Sequence, residues 1–129
     1  EVYVRSADGT DTPTRLTNNT IDDRPPDWSH QGDRIAYSCQ GGSQRFEICV
    51  TDVNGNRTQI TDNALAHLGP AWSPDDQRIF FNRATPGRGN QLWWVAADGS
   101  TEQLLVPPEA PTGSTAGANV GVLRVKTDK

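Results

Sequence analysis

The residue types that carry most catalytic and metal chemistry are few and widely spaced in this chain. Its 129 residues contain two histidines, His30 and His67, and two cysteines, Cys39 and Cys49. Neither histidine has a second His or Cys at the spacing of zinc ligands, and there is no Cys-x-x-Cys motif. The sequence also lacks a Gly-x-Ser-x-Gly elbow and a glycine-rich phosphate loop. We therefore expect no catalytic residue, no metal and no cofactor in this chain.

The two cysteines could join in a disulfide. If a hairpin turn centres on residue 44, Cys39 and Cys49 lie directly opposite each other on neighbouring strands. Opposite Cβ atoms in a non-hydrogen-bonded pair are close enough for a bridge. A cross-strand disulfide would fit an oxidising compartment. The alternative is a pair of buried free thiols.

A repeat organises the chain around these residues. Trp28 recurs as Trp72 after 44 residues, and Ile35 and Ile79 each follow their tryptophan by seven residues. We expect both tryptophans to pack in the core between repeat units. Turn dipeptides recur as well, and their glycines are expected at positive φ; these are Gly9, Gly55 and Gly99. Several short strands at a period of about 44 residues are typical of four-stranded propeller blades.

The predicted fold is all-β, with β-propeller blades of four antiparallel strands and about three blades in the chain. Residues 1–17 would form the last two strands of a split blade, and residues 18–61 and 62–105 one blade each. Residues 106–129 would form degenerate first and second strands. Because propellers close with about four to eight blades, we expect a fragment of a longer propeller or half of a six-bladed dimer. The lack of Met and the start at Glu1 favour a processed or excised piece.

Two segments resemble the TolB-type propeller repeat of bacterial envelope proteins. That blade reads roughly Pro-x-Trp-Ser-Pro-Asp-Gly-x-Arg-Ile-Ala-Phe. The chain has Pro-Asp-Trp-Ser at residues 26–29 with Arg-Ile-Ala-Tyr at 34–37, and Pro-Ala-Trp-Ser-Pro-Asp-Asp at 70–76 with Arg-Ile-Phe-Phe at 78–81. The resemblance covers residues 1 to about 105. It implies a six-bladed propeller and a periplasmic or secreted location, and the repeat type alone does not specify a function.

The resemblance also implies that two sets of loops share one face of the propeller, where a protein partner could bind. These are the loops that precede the first strand of each blade and those that join its second and third strands. Binding residues on loops of a rigid scaffold are common. The charged residues expected on this face, with surface solvation as the alternative, are Asp22, Asp23, Arg24, Arg45, His67, Arg83 and Arg88.

Charge and hydropathy exclude several classes of function. The chain has 12 Lys+Arg against 16 Asp+Glu, a net charge of −4, so we expect no nucleic-acid partner. No apolar run is long enough to span a bilayer. The favoured function is a non-enzymatic scaffold for protein–protein interaction in the periplasm or outside the cell. One alternative is the gating propeller of a prolyl-oligopeptidase-like or tricorn-like serine peptidase. Another is a carbohydrate-binding propeller, which exposure of Trp93 or Trp94 on a groove would favour.

Overall fold

The protein is described by a computed structural model over residues 1–20, 24–42, 44–63 and 65–105. Ten strands run in chain order, and we number them β1 to β10. They are β1 (Tyr3–Val4), β2 (Thr14–Arg15), β3 (Arg24–Trp28), β4 (Arg34–Gln40), β5 (Phe46–Asp52), β6 (Arg57–Gln59), β7 (His67–Trp72), β8 (Arg78–Thr85), β9 (Gly89–Ala96) and β10 (Glu102–Leu104). The positions expected for Asp22, Asp23 and the strands in 106–129 lie outside the described residues.

The strands form three sheets in which sequential neighbours pair antiparallel. Sheet 1 holds β1 and β2, sheet 2 has the order β3-β4-β5-β6, and sheet 3 has the order β7-β8-β9-β10. The prediction of an all-β fold built from four-stranded antiparallel blades is therefore confirmed for sheets 2 and 3. No helix occurs in the described ranges, so within them no helix is long and apolar enough to cross a membrane.

The two middle strands of sheet 2, β4 and β5, are buried on both faces, because sheet 2 lies between the other two sheets. Ile35 and Tyr37 point to one side and pack with Val2 and, at the margin, Leu16 of sheet 1. On the opposite side a second cluster joins sheet 2 to sheet 3; it comprises Ala36, Ile48, Val50, Trp72, Ile79, Phe81 and Val95. A strand buried on both faces reads as a nearly continuous apolar run, as β4 does.

The two repeat tryptophans differ in burial, contrary to the expectation that both pack in the core. Trp72 is 2% exposed within the cluster between sheets 2 and 3, whereas Trp28 is 43% exposed. Trp72 packs against a four-stranded sheet, and the guanidinium of Arg34 lies 4.6 Å from its ring centroid. The sheet next to Trp28 has only two strands in the described part of the chain. Burial at this position therefore depends on the neighbouring sheet.

The three repeated turns use their glycines as expected. Gly9, Gly55 and Gly99 have φ of 73°, 84° and 79°, a left-handed conformation that glycine adopts without steric cost. Each glycine amide bonds to the carbonyl three residues earlier, for example Gly99 N to the Ala96 oxygen at 2.8 Å. These turns join β1 to β2 in sheet 1, β5 to β6 in sheet 2 and β9 to β10 in sheet 3.

The disulfide between Cys39 and Cys49 is present, with a Cα–Cα distance of 5.7 Å. The expected register was wrong, however. Cys39 lies opposite Glu47, and Cys49 lies opposite Tyr37, so the cysteines are diagonal neighbours displaced by two residues. The right-handed twist of paired strands brings one diagonal closer than the other, which allows the bridge. Both cysteines are buried against sheet 1.

Candidate functional site

One end of the two large sheets gathers the turns that were expected to bind a partner. We call this the loop end. It comprises the starts of β3 and β7 and the turns that join β4 to β5 and β8 to β9. Arg24, Arg45 and Arg88 are exposed there. In the described ranges none of the three forms an ion pair, and Arg24 only stacks on Phe46, 5.2 Å from the ring centroid. The loop end therefore presents three accessible guanidinium groups.

Two residues expected on loops at this end lie inside the protein. His67 begins β7 and is 0% exposed. Arg83 lies opposite it on β8, stacks 4.0 Å from the Trp93 centroid and donates from Nη1 to Glu102 Oε1 at 2.6 Å. The side chains of His67 and Arg83 therefore belong to the packed contact between the sheets. His67 is thus closed to a partner, and the Arg83 side chain is only 17% exposed.

A buried polar cluster lies beneath the loop end. His67 Nδ1 is 3.0 Å from Glu47 Oε2, and its Nε2 is 3.6 Å from Glu102 Oε1. Thr61 Oγ1 donates to Glu47 Oε2 at 2.5 Å, and the backbone N–H of Asn63 donates to Glu47 Oε1 at 3.2 Å. The hydrogen bond from His67, aided by the Arg83 charge, lowers the pKa of the Glu102 carboxyl, although partial burial opposes this shift. The cluster connects β5 of sheet 2 to β7, β8 and β10 of sheet 3.

Sequence reasoning missed this cluster, although the repeat contains its signal. Glu1 and Glu47 open equivalent strands, and a threonine and an asparagine follow later in each copy. In the first copy Thr17 Oγ1 donates to Glu1 at 2.7 Å, and the Asn19 amide donates to the same carboxylate at 2.8 Å. The shared Glu-Thr-Asn pattern is therefore a structural motif that ties the start of one strand to the segment after the next strand: β1 and β2 in the first copy, β5 and β6 in the second.

The edge strands β3 and β7 line an open groove of about 690 Å³, which we call the inner groove. Prolines are tolerated on edge strands because no ladder partner needs their missing N–H, and each edge strand has a register irregularity at its prolines. The groove is lined by Arg24, Pro25, Pro26, Asp27, His30, Leu68, Gly69, Pro70, Ala71, Trp72 and Asn82. Its wall is thus mostly apolar, with Arg24 close to the loop end.

Three polar groups in the inner groove are notable. The Asp27 carboxylate accepts the Trp72 amide of the neighbouring sheet at 2.7 Å. Among the described residues, Trp72 Nε1 and Asn82 Oδ1 are buried and have no hydrogen-bond partner. Buried polar atoms are usually satisfied, so these two atoms are exceptions in the packed wall behind the groove.

The two adjacent tryptophans do not form an open sugar-stacking surface. Trp93 lies beneath the Arg83 guanidinium and Trp94 beneath that of Arg78, 4.3 Å from its centroid. Both indoles are only partly exposed. The groups that cover them make the carbohydrate-binding interpretation less favourable. In the ranges that the structure describes, no three His, Cys, Asp or Glu side chains are arranged to hold a metal ion.

Comparisons with known proteins give partial matches along the chain. An uncharacterized protein of Agrobacterium fabrum is 33% identical over 105 residues, which is 81% of this chain and 34% of that protein. The Tol-Pal system protein TolB of Haemophilus influenzae is 45% identical over 51 residues, 37% of this chain and 12% of TolB. The TolB of Sodalis glossinidius is 32% identical over 79 residues, 59% of this chain and 18% of TolB. No family model matches the chain.

A solved structure supports the same relationship. A protein from Agrobacterium tumefaciens, provisionally named TolB, superposes with a TM-score of 0.69 and 30% sequence identity. The match covers 82% of this chain and 37% of that one. The chain thus spans about a third of the length of the Agrobacterium proteins and less than a fifth of the two TolB proteins.

Proposed function

Because the chain has a TolB-like fold, we propose that it is a non-enzymatic scaffold that binds another protein at the loop end and along the inner groove. The observation that carries this proposal is the set of three exposed arginines at the loop end, none of which forms an ion pair in the described ranges. One of them, Arg24, also lines the mostly apolar inner groove. An apolar wall supplies contact area, and a few polar groups at its margin supply orientation.

The proposed location is the periplasm or the outside of the cell. The relatives named TolB belong to the Tol-Pal system, and the Cys39–Cys49 disulfide suits an oxidising compartment. A buried bridge of this kind is rare in a reducing cytosol. The measurement is the thiol count of protein purified without reductant from the native compartment. Two reactive thiols in denaturant would argue against this location.

The binding proposal is tested with purified Pal, the other component that the relatives' system name gives. We expect calorimetric titration to detect an interaction that weakens roughly tenfold in the double variant Arg45→Glu/Arg88→Glu, since charge reversal at an interface lowers affinity. The control is Arg5→Glu, the same charge change in the turn between β1 and β2. Equal affinity of all three proteins would contradict a site at the loop end. If even the unaltered chain does not bind, Pal is excluded as the partner.

We also propose that the exposed face around Trp28 is covered by a further sheet, either from a longer parent chain or from a second copy that closes a six-bladed ring. The support is the contrast between Trp28, 43% exposed, and its buried equivalent Trp72. Size-exclusion chromatography with light scattering distinguishes the two sources. A dimer at micromolar concentration would support the second copy, and a clean monomer would exclude it.

A further inference from the structure

His67 is enclosed between two sheets, and its two ring nitrogens face different groups. Its side chain is 0% exposed, and its ring packs edge-on against Phe81 at a centroid distance of 5.0 Å. Nδ1 lies 3.0 Å from a Glu47 carboxylate oxygen and 3.3 Å from the Phe46 carbonyl oxygen. Both neighbours accept hydrogen bonds, so Nδ1 carries a proton in either charge state of the ring.

The second ring nitrogen has two alternative partners. His67 Nε2 is 3.2 Å from the side-chain nitrogen of Asn63 and 3.6 Å from Glu102 Oε1. The Asn63 side-chain oxygen accepts the Leu65 amide at 3.0 Å, which orients the Asn63 NH₂ group towards the ring. A neutral ring therefore accepts from Asn63. A ring that has taken a proton from solvent has an Nε2–H, for which the Glu102 carboxylate is the acceptor among the described neighbours.

The charges around His67 favour the arrangement in which the ring is protonated. The charged groups that face it are Glu47 from β5, Arg83 from β8 and Glu102 from β10. On β3, Asp27 is instead bound to the Trp72 amide at the far end of β7. Two carboxylates and one guanidinium leave one negative charge, which a proton on His67 cancels. Burial penalises an uncompensated charge, so the protonated ring completes a neutral cluster.

We propose that His67, held between Glu47 of sheet 2 and Glu102 of sheet 3, is a proton-operated joint between the two sheets. With the proton, an ion-paired chain runs from Glu47 through His67 to Glu102 and Arg83. Without it, Nε2 bonds to Asn63 instead of Glu102, and the contact of His67 with Glu47 across the two sheets changes from an ion pair to a neutral hydrogen bond. The contact between the sheets therefore weakens. The joint lies directly under the loop end, so the packing of the two sheets there responds to pH.

The test uses the His30→Gln background, in which His67 is the only histidine. Histidine ¹⁵N chemical shifts followed from pH 5 to 8.5 report the protonation of His67 and the proton on Nδ1 directly. Urea unfolding at pH 5.5 and pH 8 then measures the coupling. We expect the equilibrium constant for unfolding to be several-fold larger at pH 8, and this pH dependence to shrink in Glu102→Gln.

Two outcomes would overturn the proposal. One is a His67 ring that stays in a single charge state over the whole range in which the protein is folded. The other is an identical pH dependence of unfolding in His30→Gln and in His30→Gln/His67→Gln. If the double variant does not fold, the comparison of His30→Gln with His30→Gln/Glu102→Gln decides, because that pair retains the buried imidazole. None of these measurements involves a binding partner.

Discussion

Sheets 2 and 3 share the same strand pairing but carry different side-chain interactions at equivalent positions. The pairings Cys39 with Glu47 and Tyr37 with Cys49 in sheet 2 recur 44 residues later as Arg83 with Gln91 and Phe81 with Trp93 in sheet 3. The diagonal pair is a disulfide in sheet 2 and a guanidinium stacked on an indole in sheet 3. A single register thus accepts a covalent bridge or a cation–π contact.

The difference follows from what lies against each face. The disulfide faces the small sheet 1, where Val2 and Leu16 supply limited apolar area. The Arg83–Trp93 pair faces sheet 2 and reaches the buried polar cluster through Glu102. A large contact between two sheets can be stabilised by the apolar area that it buries and by paired charges. We infer that the covalent bridge compensates for the smaller contact of sheet 2 with sheet 1.

The sharpest test of this comparison is the equivalent tryptophan pair. Trp72→Ala should cost about 3–5 kcal/mol of unfolding free energy, because it leaves a cavity in the core. Trp28→Ala should cost about half as much, in proportion to its smaller buried area. Urea denaturation of each variant measures both.

Equal losses of unfolding free energy for the two tryptophans would mean that Trp28 is covered in solution. The proposed difference in burial between the two sheets would then be wrong. If Trp72→Ala does not fold, Trp72→Phe against Trp28→Phe gives the same ranking with a smaller volume change.

The next effect concerns the disulfide. Replacement in Cys39→Ala/Cys49→Ala should lower the unfolding free energy by about 2–3 kcal/mol, the usual contribution of a short native bridge. Arg83→Met should cost about 1–2 kcal/mol, since it removes a partly desolvated cation–π contact together with the ion pair to Glu102. Thermal unfolding without reductant compares the two.

A transplanted bridge tests whether the two positions are truly equivalent. Arg83→Cys/Trp93→Cys should oxidise to a second disulfide, because its register matches that of Cys39 and Cys49. Free thiols after prolonged oxidation of the folded double variant would show that the strand twist differs between the sheets.

The sequence predicted what local rules decide and missed what depends on neighbouring sheets. The 44-residue period and the turn dipeptides predicted four-stranded antiparallel sheets, and sheets 2 and 3 have that form. The exposure of Trp28 and the burial of His67 depend on which sheet lies opposite, and one copy of the repeat does not encode that. The two-residue error in the cysteine register arose because turn length cannot be inferred from composition alone.

A smaller effect is expected at the turn between the first two strands of sheet 3. Asp76 has φ of 56° where its equivalent, Gly32, has 75°, and its carboxylate accepts the His30 and Gln31 amides of sheet 2 at 2.8 and 2.9 Å. Burial acts to raise the pKa of Asp76, but these hydrogen bonds outweigh it and the pKa is lowered.

Asp76→Gly should relieve the backbone strain at residue 76 and remove the hydrogen bonds to the His30 and Gln31 amides. The net result should be a loss of about 1 kcal/mol of unfolding free energy. Gly32→Asp is the matched control. A Cβ at Gly32 meets nothing within 4 Å, so that variant should gain strain and no contact. Stabilisation by Asp76→Gly would show that backbone strain exceeds the value of the contact between sheets.

The smallest effect concerns Glu1, the partly buried counterpart of the fully buried Glu47. The Arg15 guanidinium, 2.6 Å away, and the Thr17 hydroxyl lower the pKa of Glu1 to about 2. A carboxylate whose pKa falls on folding contributes stability above its unfolded pKa, and that contribution is lost as pH decreases through the folded value. Glu1→Gln should therefore lower the unfolding midpoint slightly at pH 6, and the difference should vanish between pH 4.5 and pH 2. A difference that persists at pH 2 would show that Glu1 acts through packing, as a buried residue such as Glu47 would, and would remove the distinction between the two copies of the motif.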